Sequence, residues 1–287
     1  MNIVVIPTYN DWKSLDKLLF LINQNLNSNN IVKVLIVDDK STQKMKINLK
    51  KFDKIKEITT ITNNKNLGSQ KSIAIGLSYL KKFNNNFYIT VMDSDGEDNP
   101  SEIKKMLTLA KKNKDHIIVS SRKKRQEKLF FKFCYKIHLT IFFLFTGNWI
   151  SFGNFSCFNS KNLKKIISNN NIWYAYSAGI LKNNKIIKTY ASKKKRYFDK
   201  SKLSYISLIE HGIRILGVFK SRILIITLVF FIFTFKFYAQ PLVFSLYFIL
   251  LLLNLLILLV FYKNHLKGNI NYLDFTDNIK TLKTKLN

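Results

Sequence analysis

Acidic residues are scarce in this sequence. Its 287 residues include 17 Asp and Glu against 47 Lys and Arg, which gives a formal net charge of +30. An excess of this size is typical of proteins that meet nucleic acid, anionic lipid or phosphate-bearing ligands. The basic residues form no recognised nucleic-acid-reading module, which argues against a nucleic-acid partner. No Asp or Glu occurs from Lys128 to Phe198, so a phosphate-bearing partner suits that stretch.

Cysteine, proline and glycine are also rare. The two cysteines, Cys134 and Cys157, are too few for a disulfide framework or a cysteine metal cluster. With three prolines and nine glycines, a long flexible linker is not expected. The first residues, MNIVVIPTYN, lack the pattern of a signal peptide, so we expect the first domain to stay in the cytosol.

Short apolar strands and amphipathic helices alternate over the first 120 residues. The predicted strands cover residues 2–6, 32–37, 58–62, 87–92 and 117–120, and the predicted helices cover 12–26, 69–83 and 100–112. This alternation predicts an α/β fold with a doubly wound, mostly parallel sheet and flanking helices. Ligands bind such sheets at the carboxyl ends of the strands. Polar residues follow the strands at those ends, which predicts a site there.

The strongest chemical signal is the acidic segment MDSDGED, residues 92–98. It places Asp93, Asp95 and Glu97 directly after an apolar strand. Several carboxylates together are costly to bury unless a cation neutralises them. Mg²⁺ and Mn²⁺ prefer carboxylate and phosphate oxygens, and either could stabilise the charge on a departing nucleoside diphosphate. The alternative is a turn with a helix cap before Pro100.

Two weaker signals precede this segment in the sequence. In IVDDKS, Asp38 could accept a hydrogen bond from a base or a ribose, or Asp38 and Asp39 could both be loop carboxylates in water. The sequence Asn66-Leu67-Gly68 precedes a helix and could present backbone N–H groups to a phosphate. A structural turn is the favoured interpretation of that second signal.

Several motifs occur together in an order typical of one enzyme family. VVIPTYND, IVDDKS, NKNLGSQKSIAIGL and MDSDGEDNPSEI resemble the ordered motifs of family-2 glycosyltransferases with the GT-A fold. IIVSSR (residues 117–122) and RYFDKSKLS (196–204) are similar to elements of dolichyl-phosphate mannose synthases and their bacterial polyprenyl-phosphate relatives. Asp199 stands where those relatives usually have glycine, Asp11 replaces a Glu and Asn154 replaces an Asp.

The resemblance implies a role for particular residues. It assigns nucleotide-sugar binding to Pro7, Tyr9, Asn10, Asp38 and Asp93. It assigns catalysis to Asp93, Asp95 and Arg122, and a divalent metal, Mg²⁺ or Mn²⁺, to Asp95 and Glu97. It assigns contacts with donor or acceptor phosphates to Lys132, Lys136, Arg196 and Lys202. The resemblance also allows a homo-oligomer.

The implied reaction is an inverting sugar transfer from a UDP- or GDP-sugar to a polyprenyl (undecaprenyl) phosphate, for cell-envelope glycan assembly. A hydroxyl acceptor must lose a proton and normally needs a carboxylate base, whereas a lipid phosphate is already ionised. The acid-free stretch from Lys128 to Phe198 therefore favours the phosphate. Two alternatives stay open: a transferase that acts on a saccharide or lipid hydroxyl, and a non-catalytic membrane scaffold.

A membrane segment follows the predicted catalytic domain. Leu242–Tyr262 is long enough to span a hydrocarbon core of roughly 30 Å. Ile223–Gln240 is shorter and is expected to form a second span, or else a re-entrant or interfacial helix. Basic residues at both ends of this hairpin favour the cytoplasm. We therefore expect a multi-pass protein of a bacterial-type inner (plasma) membrane with a cytoplasmic catalytic domain.

The expected domains follow from these assignments. They are a catalytic domain at 1–205, a juxtamembrane amphipathic helix at 206–221 that contacts membrane lipids, two transmembrane helices within 222–262 and a polar tail at 263–287.

Overall fold

The structure is a computed structural model that describes residues 1–26, 31–45, 52–122, 129–168, 170–191, 194–198, 205–268 and 275–286, with the backbone alone at 122, 129–135, 138 and 205. The strands are β1 (Asn2–Thr8), β2 (Val32–Asp38), β3 (Ile55–Asn63), β4 (Tyr88–Val91), β5 (His116–Arg122), β6 (Phe152–Asn159), β7 (Lys185–Ala191) and β8 (Ile279–Leu286). The helices are α1 (Trp12–Asn25), α2 (Ser69–Leu80), α3 (Glu102–Lys112), α4 (Leu129–Thr146), α5 (Leu163–Ile167), α6 (Asn171–Tyr174), α7 (Tyr176–Asn183), α8 (Tyr205–Gly217), α9 (Lys220–Thr234) and α10 (Pro241–Leu266).

The eight strands form one sheet in the order β7-β5-β6-β4-β1-β2-β3-β8. Strand β1 lies parallel to both β2 and β4, and β2 lies parallel to β3. Strands β6 and β8 run antiparallel to their neighbours. The α/β fold class with flanking helices is therefore confirmed. The carboxyl ends of β1, β2 and β4 lie side by side at one edge of the sheet, which we call the ligand edge.

Apolar packing explains why these segments form this sheet. All seven residues of β1 are buried, because helices cover both faces of the sheet. In α1, Leu15, Leu18, Leu19 and Ile22 are fully buried at helical spacing. Each such side chain contributes about 1.5 to 3 kcal/mol on leaving water. A side chain at Gly76 of α2 would collide with Val37, so this glycine permits close packing of α2 on the sheet.

The polar tail contains a strand that sequence reasoning missed. Ile279–Leu286 forms β8, which pairs with β3 along its length and carries exposed lysines. Lysines on an edge strand oppose further pairing with other chains. The tail therefore adds an eighth strand to the sheet, and the first residues of β8 lie beside the carboxyl end of β3.

The described chain separates into two compact units. The first comprises 1–126, 151–201 and 268–287, and the second comprises 127–150 and 202–267. The first unit contains the whole sheet. The domain ranges expected from the sequence were drawn by role and stay a prediction.

The second unit contains the apolar helices. Among the described residues, α10 is the single continuous helix long and apolar enough to cross a membrane. Only 6% of an 18-residue apolar stretch of this helix is buried. Residues 206–217 and 220–237 form a pair of helical segments bent by 78°. Asn254 of α10 donates to Thr227 Oγ1 of α9 at 2.9 Å, which is a polar contact between these two helices. A second span within 223–240 stays a prediction.

Candidate active site

The acidic segment 92–98 forms a tight loop at the ligand edge, directly after β4. The Asp93 N–H donates to Asp98 Oδ2 at 3.1 Å, and the Glu97 N–H donates to Asp95 Oδ1 at 2.9 Å. Gly96 has a φ of +87°, a left-handed conformation that other residues rarely adopt. The loop thus holds its carboxylates close together by bonds within the loop itself.

Asp93 lies at the end of a buried hydrogen-bond chain. The backbone N–H of Tyr176 donates to Gln70 Oε1 at 2.7 Å, Gln70 Nε2 donates to Asn154 Oδ1 at 3.2 Å, and Asn154 Nδ2 donates to Asp93 Oδ1 at 3.0 Å. This chain fixes the orientation of the Asp93 carboxyl group.

Burial and neighbouring charge raise the pKa of Asp93. Desolvation is the largest cause and the Asp95 charge the next, and together they raise the pKa to about 6. The hydrogen bond from Asn154 opposes the rise, Glu97 adds to it, and Arg196 opposes it. Burial and the neighbouring charges make ionisation of Asp93 unfavourable. A cation bound next to it would therefore stabilise the ionised carboxylate.

A basic residue from a distant part of the chain lies across the loop. Arg196 Nη2 is 2.7 Å from Asp95 Oδ2, and Arg196 Nε is 3.3 Å from Glu97 Oε1. All three side chains are largely shielded from solvent. One guanidinium cation thus bridges the two carboxylates that the sequence assigned to a metal.

Backbone bonds hold residues 194–197 against the loop. The Lys194 N–H donates to the Glu97 carbonyl and the Tyr197 N–H to the Asp95 carbonyl, each at 3.0 Å. The Tyr197 ring covers Gly96 so closely that a Cβ at position 96 would overlap it. Arg196 is therefore placed on the acidic loop by its own chain segment.

The ends of β1 and β2 are joined at the same edge of the sheet. Asp38 Oδ1 accepts from the Ser41 N–H at 2.9 Å, and Ser41 Oγ accepts from the Asn10 N–H at 2.8 Å. Asn10 Oδ1 accepts from the Thr42 N–H at 2.9 Å. Tyr9 is 41% exposed beside them, whereas Pro7 is buried inside β1. Three predicted nucleoside-binding residues, Tyr9, Asn10 and Asp38, are thus gathered at the ligand edge.

Asp39 is a structural residue. It is 3% exposed, and its carboxylate accepts from Asn63 Nδ2 at 2.9 Å, the Leu67 N–H at 2.8 Å and the Gly68 N–H at 2.7 Å. Burial raises the pKa of Asp39, and these hydrogen bonds oppose the rise. The expectation that both aspartates could be loop carboxylates in water is wrong, because Asp38 is 7% exposed and Asp39 is 3% exposed. The structural interpretation of Asn66-Leu67-Gly68 is supported, because the Leu67 and Gly68 N–H groups are used by Asp39.

The other predicted site residues are described less fully. Arg122 ends β5, whose carboxyl end lies at the ligand edge, but only its backbone is described. Lys132 and Lys136 belong to α4 in the second unit, where Lys136 is exposed and Lys132 is described by its backbone alone. Lys202 lies outside the described residues.

Three polar residues of the site were not predicted as site residues. Gln70 and Asn154 orient Asp93, and Thr8 has a buried hydroxyl at the end of β1 that finds no hydrogen-bond partner among the described residues. The replacement of an Asp by Asn154 was visible in the sequence. The burial of Gln70 was not, since a polar residue in the first turn of a helix usually faces water.

The chemistry of the acidic loop suits a hard divalent cation. Asp95 and Glu97 offer carboxylate oxygens that one cationic group already bridges, and Asp93 adds negative charge nearby. Such oxygens are the ligands that Mg²⁺ and Mn²⁺ prefer. Within the described ranges, no three His, Cys, Asp or Glu side chains are arranged together as ligands. A metal at this loop would therefore take some ligands from a phosphate or from water.

A protein-family model matches more than half of the chain. Residues 3–169 match the family model described as glycosyl transferase family 2. No curated protein matches the chain.

Several solved structures resemble the chain at low sequence identity. Residues 1–349 of TarS from S. aureus are 17% identical with a TM-score of 0.45, and the match covers 78% of this chain and 65% of that chain. Glucosyl-3-phosphoglycerate synthase from Mycobacterium tuberculosis, solved with Mn²⁺ and UDP-glucose, is 10% identical with a TM-score of 0.51, over 77% of this chain and 78% of that chain. The match thus spans less than two thirds of the TarS fragment, and the synthase shares the fold.

Proposed function

The chain belongs to glycosyl transferase family 2, and from this we propose that it transfers a sugar from a nucleotide-sugar to a polyprenyl phosphate with the help of a divalent cation. The observation that carries the proposal is the acidic loop at the ligand edge. There, Asp95 and Glu97 share one cationic partner beside the half-buried Asp93. A donor diphosphate bound here would need cations to balance its charge, and we propose that the loop carboxylates bind one of them.

Arg196 and a metal would compete for the same oxygens. A divalent cation at Asp95 and Glu97 requires the guanidinium to leave at least one of them. A released guanidinium is a planar donor that suits a phosphate. We therefore propose that Arg196 moves from the two carboxylates to a phosphate when the donor binds. This accounts both for its observed contacts and for the phosphate role implied by the resemblance.

The transfer we propose is a single inverting displacement. An oxygen of the lipid phosphate forms a bond to the anomeric carbon, while the bond from that carbon to the diphosphate oxygen breaks and the diphosphate leaves with the electron pair. A bound divalent cation would supply charge stabilisation for this leaving group. Asp93, oriented by Asn154, would accept a hydrogen bond from the donor. Arg196 would donate to the diphosphate.

A phosphate acceptor is favoured by the charge of the chain. The stretch from Lys128 to Phe198 lacks acids, and an acceptor phosphate needs positioning and screening instead of a base. Lys132, Lys136 and Lys202 are the residues we propose for its contacts, together with Arg122 for either phosphate.

Helix α10 supports a membrane location for the enzyme. Its 26 residues span about 39 Å at 1.5 Å per residue, which exceeds a hydrocarbon core of about 30 Å. The 15 residues of α9 span about 22 Å, so α9 would need the following turn to cross as well. Lys220 and Arg222 lie in the first turn of α9, and Lys263 and Lys267 lie at the end of α10 and just after it, so we propose that both ends face the cytoplasm of a bacterial-type plasma membrane.

The proposal is tested by product formation. The full chain, purified in detergent with Mn²⁺, is given UDP- or GDP-sugars and undecaprenyl phosphate. We expect a lipid-linked sugar that disappears with EDTA and with Asp95→Ala. Glu102→Ala, at the start of α3, is the control for removal of a nearby acid outside the loop.

Two outcomes would contradict the proposal in different ways. A product that survives mild acid would place the sugar on a hydroxyl, because a sugar linked through phosphate is acid-labile. If the wild-type chain binds no nucleotide-sugar in the presence of any divalent metal ion, the result would favour a non-catalytic membrane scaffold.

A further inference from the structure

A closed ring of hydrogen bonds holds Asn154, the residue that donates to Asp93. On one side, Gln70 joins the Tyr176 backbone N–H to the Asn154 side chain through bonds of 2.7 and 3.2 Å. On the other side, Ser156 Oγ donates to the Asn154 carbonyl at 3.1 Å and lies 2.8 Å from the Tyr176 hydroxyl. Tyr176 and Ser156 are fully buried, and Gln70 is 6% exposed. Asn154 is therefore held by its side chain and by its backbone.

The direction of each bond on the Gln70 side is fixed. A backbone N–H can only donate, so Gln70 must present its oxygen to Tyr176 and its NH₂ group to Asn154. Asn154 must then present its oxygen to Gln70, which leaves its NH₂ group for Asp93. That group lies 3.0 Å from Asp93 Oδ1 and 3.3 Å from Oδ2, so it faces both carboxylate oxygens. A backbone N–H at the first residue of α7 thus determines which group Asp93 meets.

This arrangement is more specific than burial alone requires. Buried amide groups need hydrogen-bond partners, and a buried network in which every direction is fixed holds one arrangement of its side chains. If the Asn154 amide turned over, its oxygen would face the Asp93 carboxylate, and two acceptors would repel each other. The ring excludes this turned arrangement.

We propose that Gln70 is a positioning residue for sugar transfer, which acts on Asp93 through Asn154. By holding an N–H donor against the carboxylate, Gln70 fixes the plane of that group and keeps its oxygens as acceptors for the nucleotide-sugar. This inference rests on the proposed function and adds to it the residues that hold Asp93 in place, which are Gln70 with Ser156 and Tyr176.

The first test measures the stability of the full chain in detergent at pH 8 without substrate. Gln70→Glu keeps an acceptor for the Tyr176 N–H but places a carboxylate oxygen opposite the Asn154 oxygen. The Asn154 amide then turns over and faces Asp93 with its oxygen, so the melting temperature should fall by about 4 to 8 °C. In an Asp93→Asn background, the amide at position 93 can donate to that oxygen, and Gln70→Glu should lower the melting temperature much less.

The second test measures sugar transfer per folded molecule. Gln70→Glu should lower kcat by about 10- to 100-fold, because a misplaced carboxylate holds the nucleotide-sugar poorly for reaction. The KM for polyprenyl phosphate should stay unchanged, since Asp93 is proposed to meet the nucleotide-sugar and not the acceptor. Gln24→Glu makes the same charge change on the exposed side of α1 and is the matched control. It should leave both constants unchanged.

Gln70→Leu keeps the test usable if Gln70→Glu does not fold. It adds no charge and removes both bonds of Gln70, so the Asn154 amide is free to turn. We expect kcat per folded molecule to fall several-fold, again with an unchanged KM for polyprenyl phosphate.

Two results would overturn the inference. Equal shifts in melting temperature for Gln70→Glu in the wild-type and Asp93→Asn backgrounds would show that Gln70 acts on the fold alone. Unchanged transfer per folded molecule in Gln70→Leu would show that Asp93 does not depend on Gln70. Failure of the wild-type chain to transfer any sugar refutes the proposed function instead, and the stability comparison, which uses no substrate, still decides whether Gln70 acts through Asn154.

Discussion

Asp39 follows β2 and Asp93 lies just after β4, at the same edge of one sheet, yet the two carboxyl groups have different surroundings. Both carboxyl groups are desolvated, and the pKa of each is raised for that reason. Asp39 is surrounded by three N–H donors, two of them from the backbone of one loop. Asp93 receives its side-chain hydrogen bonds from Asn154 and faces the negative charges of Asp95 and Glu97.

This difference separates a structural acid from a candidate functional one. Fixed donors around Asp39 compensate its burial, so its charge stabilises the loop at 67–68. Around Asp93 the neighbouring groups add negative charge, and a cation or a ligand donor is needed to balance it. The comparison predicts that the two residues respond oppositely to substitution.

The largest effect is expected on catalysis. Asp93→Asn should lower sugar transfer by about 10²- to 10³-fold, because it removes charge where a leaving diphosphate and its cation are held. Asp39→Asn should keep near wild-type transfer per folded molecule. Rates normalised to the folded fraction check this, and equal losses in both variants would contradict the distinction.

The next effect concerns stability, and here we expect the larger loss in Asp39→Asn instead of Asp93→Asn. Asp39→Asn places an NH₂ group against one of the N–H donors and should lower the free energy of unfolding by about 2 to 3 kcal/mol. Asp93→Asn should cost less or stabilise, because it relieves repulsion with Asp95. Denaturation in detergent measures both, with hydrogen exchange at Leu67 and Gly68 as the local probe. A larger loss in Asp93→Asn would break the comparison.

A third expectation concerns pH. With a pKa of about 6 in the folded protein, Asp93 is protonated below that pH and ionised above it, so Mn²⁺ affinity should fall as pH drops through about 6. Unfolding stability should instead fall as pH rises from the unfolded value near 3.8 to about 6, because the folded state holds the proton more tightly in this window.

Asn154→Asp sharpens that expectation. It replaces the amide donor with a second carboxylate and should move the midpoint of Mn²⁺ binding upward by about one pH unit, or roughly 1.4 kcal/mol. Asn85→Asp, exposed before β4 at the opposite edge, makes the same charge change and should leave the midpoint in place. An unchanged midpoint in Asn154→Asp would show that Asn154 does not influence the ionisation of Asp93.

The smallest effect is expected at Arg196. Arg196→Ala removes the guanidinium from Asp95 and Glu97 and should tighten Mn²⁺ binding a few-fold without nucleotide, while it weakens binding of the diphosphate donor. Partly exposed ion pairs contribute modestly, which limits the gain. Titration of Mn²⁺ followed by electron paramagnetic resonance separates the two changes. Weaker Mn²⁺ binding without nucleotide would show that the guanidinium supports the metal.

Much of the fold was predictable because apolar periodicity directly reflects burial. The strands and helices of the first 120 residues were located to within a few residues, and each polar cluster was placed at the ligand edge. Strand β8 was missed because its side chains are mostly exposed, so it has no apolar face and depends on backbone pairing with β3.

The candidate site residues could be named from the sequence, but the contacts between them could not. Asp39 and Asp93 each follow an apolar run and look alike in the sequence, since only the folded loops decide how many donors reach each one. Arg196 lies about 100 residues from the acids that it bridges, and no local pattern indicates that pairing.

The most direct test of the central claim is Mn²⁺ titration of the full chain at pH 7 with and without UDP. We expect one strong Mn²⁺ site per chain in the presence of UDP, which is lost in Asp95→Asn and in Glu97→Gln and retained in Glu102→Gln. Equal Mn²⁺ binding by the wild type and by both loop variants would contradict it.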